Sequence, residues 1–176
     1  PIGVLIIDDS PFMRLTIQKI LSQDSGIKVL DTARDGKEGI AKLQALKPQV
    51  VITDVEMPVI NGLQALDEIM RWQPTPVIVF SSITTAGAEA TLKALDLGAF
   101  EVVAKPSGKP GSDLNSLNRE LIEKVYAAAQ VDPARLNKKG LHASISAGTM
   151  SSTRPARPSM GGTPQKSLKD PLTTVS

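Results

Sequence analysis

The sequence predicts an α/β protein: a doubly wound, five-stranded parallel sheet covered by five helices, with a flexible tail behind it. Over residues 1–130, short runs of β-branched and other apolar residues alternate with helix-length segments whose apolar residues are spaced apart. The runs are apolar at consecutive positions, as strands buried on both faces require. Strands that alternate with helices in this way form an open sheet with helices on both of its faces.

Five strands and five helices follow one another along this part of the chain. The strands are predicted at residues 4–7, 27–30, 50–53, 77–80 and 100–104, and the second of them is the weakest. The helices are marked, in chain order, by Phe12, Leu15, Ile20 and Leu21; by Ile40, Leu43 and Leu46; by Leu63, Leu66, Ile69 and Met70; by Leu92, Leu95 and Leu97; and by Leu114, Leu117, Leu121, Ile122 and Val125. Because crossovers between parallel strands are right-handed, few arrangements of these elements remain.

The character of the sequence changes near residue 131. Ser, Thr, Pro and Gly dominate residues 143–176, and such a segment cannot bury enough apolar surface to offset the entropy lost on ordering. Residues 1–131 carry 13 basic and 16 acidic side chains, a net charge of −3, whereas residues 132–176 carry 7 basic and 2 acidic, a net charge of +5. We therefore expect a domain at residues 1–130 and a flexible linker at residues 131–176 that leads to an effector domain outside this chain.

Composition also limits the classes of function. The chain has no cysteine, which excludes disulfides and cysteine-based zinc sites. It has no apolar run near the roughly 20 residues that span a bilayer and no basic signal region at its start, so we expect a cytoplasmic protein without membrane insertion. The basic tail has no aromatic residue to stack on a base, so nucleic acid is not an expected partner.

Polar side chains follow four of the predicted strands at the point where each strand ends. Asp8 and Asp9 follow the first strand, Asp54 the third, Ser81 the fourth and Lys105 the fifth. Ligands of open α/β sheets bind beyond the carboxyl ends of the strands, so we expect these side chains to converge. Three carboxylates packed together repel one another unless a cation lies between them or some stay protonated. Mg²⁺ prefers oxygen ligands and commonly combines carboxylates with phosphate oxygens, so the pattern predicts a magnesium site open to a phosphoryl group.

Each of these residues also has a simpler interpretation. Ser10 followed by Pro11 is typical of a helix N-cap with Pro in the first turn, and Ser82 is expected to cap the fourth helix. Asp54, taken alone, could be an ordinary loop aspartate. His142 is the only histidine and lies in the predicted linker, where neither a ligand nor a catalytic role is expected. The placement of so many polar residues at the same end of four strands favours a common site.

Four sequence segments together resemble the receiver domains of two-component response regulators. They are residues 4–10 (VLIIDDS), residues 51–58 (VITDVEMP) with Asn61-Gly62, the serine after the fourth strand, and Lys105-Pro106. The resemblance covers about residues 2–130. It implies a flavodoxin-like sheet with the strand order 2-1-3-4-5.

The resemblance implies a role for each matched residue. Asp54 would accept a phosphoryl group from the phosphohistidine of a histidine kinase. The Mg²⁺ ligands would be the carboxylates of Asp8, Asp9 and Asp54 and the backbone carbonyl of Glu56, with Asp8 acting partly through water. Ser81 would bond a phosphoryl oxygen, Lys105 would pair with the phosphoryl group, and the bond between Lys105 and Pro106 would be cis. Magnesium and the lysine together would neutralise the charge on the transferring group.

A narrower resemblance is to the chemotaxis protein-glutamate methylesterases. It is carried by residues 9–14, 32–36, 54–58 and 104–108, and by residues 80–82 followed by Gly87-Ala88. In that family a linker joins the receiver to a serine-hydrolase domain that demethylates or deamidates glutamyl and glutaminyl sites of chemoreceptors. The resemblance therefore implies a chemotaxis histidine kinase as phosphodonor and a parent protein with methylesterase and glutaminase activity. With its one histidine in the linker, this chain is not expected to contain a Ser-His-Asp triad of its own.

One departure from the family pattern and two alternatives remain. Val102 lies where receivers usually carry a Phe or Tyr that moves with the switch hydroxyl, so the signal is expected to pass through backbone shifts of the fourth helix and fifth strand.

The first alternative is the receiver of another response regulator, either stand-alone or DNA-binding. The second is an aspartyl-phosphate phosphatase of the haloacid-dehalogenase type, although its nucleophile and acid lie two residues apart, whereas Asp8 and Asp9 are adjacent. A dinucleotide-binding enzyme is not favoured, because no G-x-G-x-x-G follows the first strand.

Overall fold

A computed structural model of the chain describes residues 1–57, 61–82, 84–106 and 114–136. The elements are β1 (Ile2–Ile7), α1 (Pro11–Leu21), β2 (Ile27–Ala33), α2 (Gly36–Leu46), β3 (Val50–Asp54), α3 (Gly62–Trp72), β4 (Val77–Ser81), α4 (Thr85–Asp96), β5 (Glu101–Ala104), α5 (Leu114–Ala129) and a short α6 (Pro133–Leu136). The five strands form one parallel sheet in the order β2-β1-β3-β4-β5. The predicted fold class and strand order are confirmed. Most of the predicted tail, including His142, lies outside the described residues.

The core consists of two apolar layers, one on each face of the sheet. Alternate strand residues such as Ile6, Ile52 and Phe80 face one layer, which α1 and α5 complete. The intervening residues, such as Leu5 and Val79, face the other layer, which α2, α3 and α4 complete. Every residue of β3 and β4 is buried, which explains why the apolar runs of these strands are continuous rather than alternating.

The helix starts depend on side-chain caps near the carboxyl edge of the sheet. Ser10 caps α1 and is followed by Pro11, as predicted, and Asp35 caps α2. Asn61 caps α3 through a capping box with Gln64, in which each side chain bonds to the backbone N–H of the other residue. These caps fix where each helix leaves the edge on which the polar side chains lie.

The cap of α4 differs from the prediction. Thr84 caps this helix, because its hydroxyl accepts a hydrogen bond from Gly87 N–H at 3.0 Å. The expectation that Ser82 is the cap is therefore wrong. Ser82 lies three residues before the first residue of the helix, too far back to accept from its first turn, and its hydroxyl contacts Thr84 Oγ1 at 3.1 Å instead.

Two features of the helices were not predicted from the apolar pattern. Phe12 and Leu15 are 73% and 66% exposed, since Ile17 and its neighbours on the opposite face of α1 point into the core. After α5 the chain continues through Val131 into α6, whose Leu136 is buried in the layer of α2, α3 and α4. The packed chain thus reaches residue 136, and the domain boundary near residue 130 stays a prediction.

Among the helices in the described ranges, none is both long enough and apolar enough to cross a bilayer.

Candidate acidic site at the carboxyl edge of the sheet

Three carboxylates meet where β1 and β3 end. These two strands are neighbours in the sheet, so Asp8 and Asp9, just beyond β1, come close to Asp54, the last residue of β3. One carboxylate oxygen from each lies within 4.8 Å of the others. Asp8 and Asp54 are only 1% and 2% exposed, whereas Asp9 is exposed at the mouth of the site. The structure therefore brings together the three acids that the sequence predicted.

Lys105 supplies a cation from the far side of the sheet. It follows β5, and its N–H donates to the Ser81 carbonyl at 2.8 Å, which fixes its backbone beside β4. Its Nζ donates to Asp54 Oδ2 at 2.6 Å and lies 3.8 Å from Asp8 Oδ2. Two strand spacings of about 4.8 Å separate β5 from β3, so only a long side chain can make this contact. The predicted lysine thus joins the acidic cluster.

Asp8 carries the electrostatic cost of the cluster. Burial raises the pKa of Asp8 above its ordinary value, and the negative charges of Asp54 and Asp9 add to this effect. The Ser10 N–H, which donates to Asp8 Oδ1 at 2.8 Å, and the Lys105 ammonium oppose the shift in pKa. Asp8 Oδ2 is buried and has no hydrogen-bond partner within the described part of the chain. It is therefore an oxygen free to bind a cation.

Asp54 is held by backbone as well as by lysine. Its Oδ1 accepts a hydrogen bond from Glu56 N–H at 3.0 Å, so the turn after β3 fixes the carboxylate. The Glu56 carboxylate lies 3.4 Å from Ser82 Oγ, on the open side of the site. The backbone carbonyl of Glu56 was predicted as a metal ligand, and this role stays a prediction.

Ser81 lies at the site but is turned toward α4. Its buried hydroxyl donates to the carbonyl oxygen of Gly87 at 3.1 Å. A Cβ on Gly87 would lie 2.2 Å from the Ser82 carbonyl oxygen, so only glycine allows α4 to approach the end of β4 so closely. The hydroxyl that was predicted to bond a phosphoryl oxygen is thus tied to the first turn of a helix.

One prediction at the end of β5 is wrong. The described residues contain no cis peptide bond, so the bond between Lys105 and Pro106 is trans and the expected cis bond is wrong. Even before proline, the trans form is favoured by about 0.5–1 kcal/mol. Val102 pairs with Val79 of β4 and packs against the apolar layer of α2, α3 and α4.

Two residues of the site were not singled out from the sequence. Arg14 of α1 donates from Nη1 to the carbonyl oxygen of Asp8 at 2.7 Å. The carbonyl oxygen of Gly87 accepts a hydrogen bond from the Ser81 hydroxyl. Both appear in the segments that resemble the methylesterases, which is the only sequence signal that could have found them.

The fold and the site together define a class of protein. A parallel sheet of order 2-1-3-4-5, with paired acids after β1, an acid at the end of β3 and a lysine after β5, is the arrangement of receiver-type signalling domains. The chain belongs to the response regulator receiver domain family, whose model matches residues 4–112.

Two proteins similar to this chain carry the same enzyme name. A protein-glutamate methylesterase/protein-glutamine glutaminase of Desulfitobacterium hafniense is 69% identical over 155 residues, which are 88% of this chain and 39% of that protein. The enzyme with the same name from Geobacillus kaustophilus is 49% identical over 135 residues, 77% of this chain and 39% of that protein. The chain thus spans about two fifths of the length of these relatives.

Solved structures show the same fold. The response regulator domain of Thermotoga maritima CheB is 42% identical, with a TM-score of 0.68, and the match covers 75% of this chain and 98% of that domain. A chain from the crystal structure of the P1 domain of CheA3 in complex with CheY6 from R. sphaeroides is 32% identical, with a TM-score of 0.59 and coverage of 73% and 98%.

Proposed function

We propose that Asp54 accepts a phosphoryl group from a histidine kinase and that the domain relays this event as a conformational signal. The contact between Lys105 Nζ and Asp54 Oδ2 within the acidic cluster carries the proposal. An ion pair that served only stability would need one acid, whereas Asp8 and Asp9 crowd two more carboxylates around the same point. Such crowding is unfavourable for folding and favours a site for a polyvalent cation and a phosphoryl group.

Magnesium is the cation that these residues fit. Asp8, Asp9 and Asp54 would hold it through carboxylates and Glu56 through its backbone carbonyl. The unpartnered, buried Asp8 Oδ2 supports this assignment, because it is a hard oxygen donor with no competing bond in the described residues. Bound Mg²⁺ would supply positive charge that stabilises the transferring group.

The transfer is a displacement at phosphorus. One oxygen of Asp54 forms a bond to the phosphorus atom while the bond between phosphorus and the donor imidazole nitrogen breaks. The electron pair of the broken bond leaves with the imidazole, which takes up a proton from solvent. Lys105, which already contacts Asp54 Oδ2, lies beside the developing aspartyl phosphate and pairs with its oxygens.

The signal would leave the site through α4. Ser81 donates to Gly87 and would have to release that carbonyl to bond a phosphoryl oxygen. Because the first turn of α4 is packed tightly on the end of β4 at Gly87, loss of this bond would let the turn move. Val102 is too small to act as the aromatic switch of the family, so this backbone route supports the prediction of shifts in α4 and β5.

We further propose that the receiver controls a linked methylesterase and glutaminase domain that acts on chemoreceptors. The names of the similar enzymes and the likeness to the CheB domain support this proposal. The receiver would occupy residues 1–130, and the linker of residues 131–176 would begin with α6, which packs on the receiver. A chemotaxis histidine kinase would be the phosphodonor, which the likeness to a chain of the complex with CheA3 supports, and the protein would act in the cytoplasm.

Intact mass after incubation with phosphoramidate, with and without Mg²⁺, tests the phosphorylation. We expect one phosphoryl adduct that needs Mg²⁺, is released by hydroxylamine as an acyl phosphate is, and is absent in Asp54→Asn. Asp67→Asn is the matched control, because Asp67 forms an exposed ion pair with Arg71 on α3 and is not one of the three clustered acids. An adduct of wild-type rate and stoichiometry in Asp54→Asn would show that the acceptor is assigned wrongly.

The proposed control of an esterase needs a separate experiment. In the longer protein, phosphorylation should raise the release of methanol from methylated chemoreceptors, and Asp54→Asn should abolish the increase. Normal phosphorylation without any change in methanol release would retain the receiver chemistry and reject the linked activity.

A further inference from the structure

We propose that Arg14 is a positioning residue for the metal-binding acids and that it acts through the backbone carbonyl of Asp8. The inference rests on the proposed Mg²⁺ site. Asp8 and Asp9 lie in a short loop between the end of β1 at Ile7 and the start of α1 at Pro11. Two of the three carboxylates therefore depend on the conformation of this loop.

The hydrogen-bonding groups of Asp8 are almost all used by the protein itself. Its N–H donates to the Ala33 carbonyl at 3.0 Å, which extends the pairing of β1 with β2. Its Oδ1 accepts from Ser10 N–H at 2.8 Å, and its carbonyl oxygen accepts from Arg14 Nη1 at 2.7 Å. Only Oδ2 is left, and it faces the other acids and Lys105. The loop is thus fixed by one strand, one turn and one side chain.

Arg14 can reach this carbonyl because of where it lies on the helix. It is in the first turn of α1, and helical side chains lean toward the N-terminus of their helix. The guanidinium therefore folds back over the turn to a residue six positions earlier, in a partly buried contact. A charged donor at 2.7 Å makes one of the stronger kinds of hydrogen bond in proteins.

The contact has a consequence for Asp9. The carbonyl of Asp8 and the N–H of Asp9 belong to the same planar peptide unit. Fixing the carbonyl therefore fixes the direction in which the chain enters Asp9. The Asp9 carboxylate is exposed, and no side-chain hydrogen bond or ion pair to another described residue orients it. Its aim depends on the backbone that Arg14 holds.

The effect is expected to be one of geometry rather than of charge. Within the described ranges, Arg14 forms no ion pair with Asp8, Asp9 or Asp54, although Lys105 does so with two of them. A residue that merely neutralised the cluster would be replaceable by any nearby cation. A residue that holds a carbonyl must present a donor at that point, which Lys at this position can do and Met cannot.

Direct cation binding by the whole chain tests the inference. Arg14→Met keeps the apolar stem and removes the donor, and Arg14→Lys keeps a charged donor. Loss of an outer-shell partner typically weakens metal binding by about 10–100-fold, so we expect Arg14→Met to bind Mn²⁺, followed by electron paramagnetic resonance, about tenfold more weakly. Arg14→Lys should recover most of the affinity. Arg34→Met is the matched control, since Arg34 is a largely exposed arginine in the loop between β2 and α2 and should leave Mn²⁺ affinity unchanged.

A kinetic readout separates positioning from catalysis. In Arg14→Met, the Mg²⁺ concentration that gives half the maximal rate of phosphorylation by phosphoramidate should rise by the same factor as the dissociation constant. The rate at saturating Mg²⁺ should stay near that of the wild type, because Arg14 does not contact the reacting atoms.

Each outcome supports or overturns the inference. Wild-type Mn²⁺ affinity in folded Arg14→Met, or equal weakening in Arg14→Lys, would overturn it while leaving the proposed receiver chemistry intact. Failure of the wild type itself to bind Mn²⁺ would reject the proposed site first. If Arg14→Met did not fold, Arg14→Gln, whose shorter side chain leaves the carbonyl without its donor, should show the same weakening, and wild-type affinity there would overturn the inference.

Discussion

Replacing Asp8 by Asn should stabilise the domain in the absence of divalent cations. Asp8 is buried, and its Oδ2 has no hydrogen-bond partner among the described residues. In Asp8→Asn the amide oxygen can still accept from Ser10 N–H, and the new amide N–H groups can donate toward Asp54. The two side chains have nearly the same volume, so the change removes a charge without opening a cavity.

The magnitude follows from the separations of the charges. At an effective dielectric constant of about 20, two like charges within 4.8 Å repel by at least about 3.5 kcal/mol, which applies to Asp8 and Asp54. The exposed Asp9 adds a smaller, solvent-screened repulsion. Lys105 Nζ, 3.8 Å from Asp8 Oδ2, attracts by about 4.4 kcal/mol at the same dielectric constant. These repulsive and attractive terms nearly cancel, so the cost of burying the charge decides the sign, and we expect Asp8→Asn to raise the free energy of unfolding by about 1–2 kcal/mol.

The gain should depend on pH in a defined direction. Burial raises the folded-state pKa of Asp8, so the native protein holds this proton more tightly than the unfolded chain does. The favourable contribution of the protonated group is complete below the unfolded pKa of about 3.9 and is lost as pH rises through the folded pKa. The advantage of Asp8→Asn should therefore be absent in acid and full near neutrality.

Urea and thermal unfolding of both proteins between pH 4 and pH 8, with a chelator present, measure this difference. A gain of 1–2 kcal/mol corresponds to a rise in Tm of about 3–10 °C for a domain of this size. Asp67→Asn is the control, because Asp67 forms an exposed pair with Arg71 on α3, and such pairs contribute about 0–1 kcal/mol. A loss of stability in Asp8→Asn near neutral pH, or a gain that stays constant with pH, would refute the reasoning.

Two further predictions concern a glycine of α4 and the ion pairs of Lys42, which lies on α2. Gly87→Ala should lower the free energy of unfolding in urea by about 1–3 kcal/mol, since its Cβ would lie 2.2 Å from the Ser82 carbonyl oxygen and the helix would have to shift. Lys42→Met should cost at most about 1 kcal/mol near neutral pH, because its contacts with Asp31 at 3.0 Å and Glu38 at 2.9 Å are partly exposed. Hydrogen bonds from Lys42 lower the pKa of both carboxyls, so the part of this cost that comes from the ion pairs should disappear as pH falls through their folded-state pKa values in a urea titration series. The loss of the bond from Lys42 Nζ to the Thr32 carbonyl at 2.6 Å should not depend on pH.

Controls distinguish these effects from a general response to mutation. Gly3→Ala places its Cβ 2.9 Å from Leu30 Cδ1, the movable end of a side chain, so it should destabilise less than Gly87→Ala. Equal losses in the two variants would show that the close backbone approach at Gly87 is not the cause. A loss in Lys42→Met that did not change with pH at all would show that the bond to the Thr32 carbonyl and the packing of the stem, rather than the ion pairs, stabilise the protein.

The fold was predictable because burial on both faces leaves a simple pattern. Val50–Asp54 and Val77–Ser81 are strands whose every residue is buried, so apolar residues occupy consecutive positions in each of them. The main site residues were predictable for a related reason. A polar residue directly after such a run must lie at the carboxyl edge, as Asp8 and Lys105 do, and parallel strands bring those edges together.

The remaining features depend on contacts that no local pattern records. Whether Ser82 or Thr84 caps α4 is decided by where the helix begins against β4. The bond from Arg14 depends on how its guanidinium folds back over the first turn of α1. Composition assigned Leu136 to the linker, although it is buried in the layer of α2, α3 and α4.

In the acidic cluster, the buried carboxylates are expected to lower the stability of the fold. Such a cost favours a functional role for these residues. Elsewhere the buried strand residues are apolar or bonded, and the helices start at side-chain caps. At Asp8 the chain instead buries an acid with an unpartnered oxygen beside a second acid. Because we expect a neutral residue to serve the fold better, the buried carboxylate supports the proposal that a cation binds there. If Asp8→Asn is more stable and also binds cations more weakly, the same substitution will show that the Asp8 carboxylate lowers the stability of the fold and strengthens cation binding.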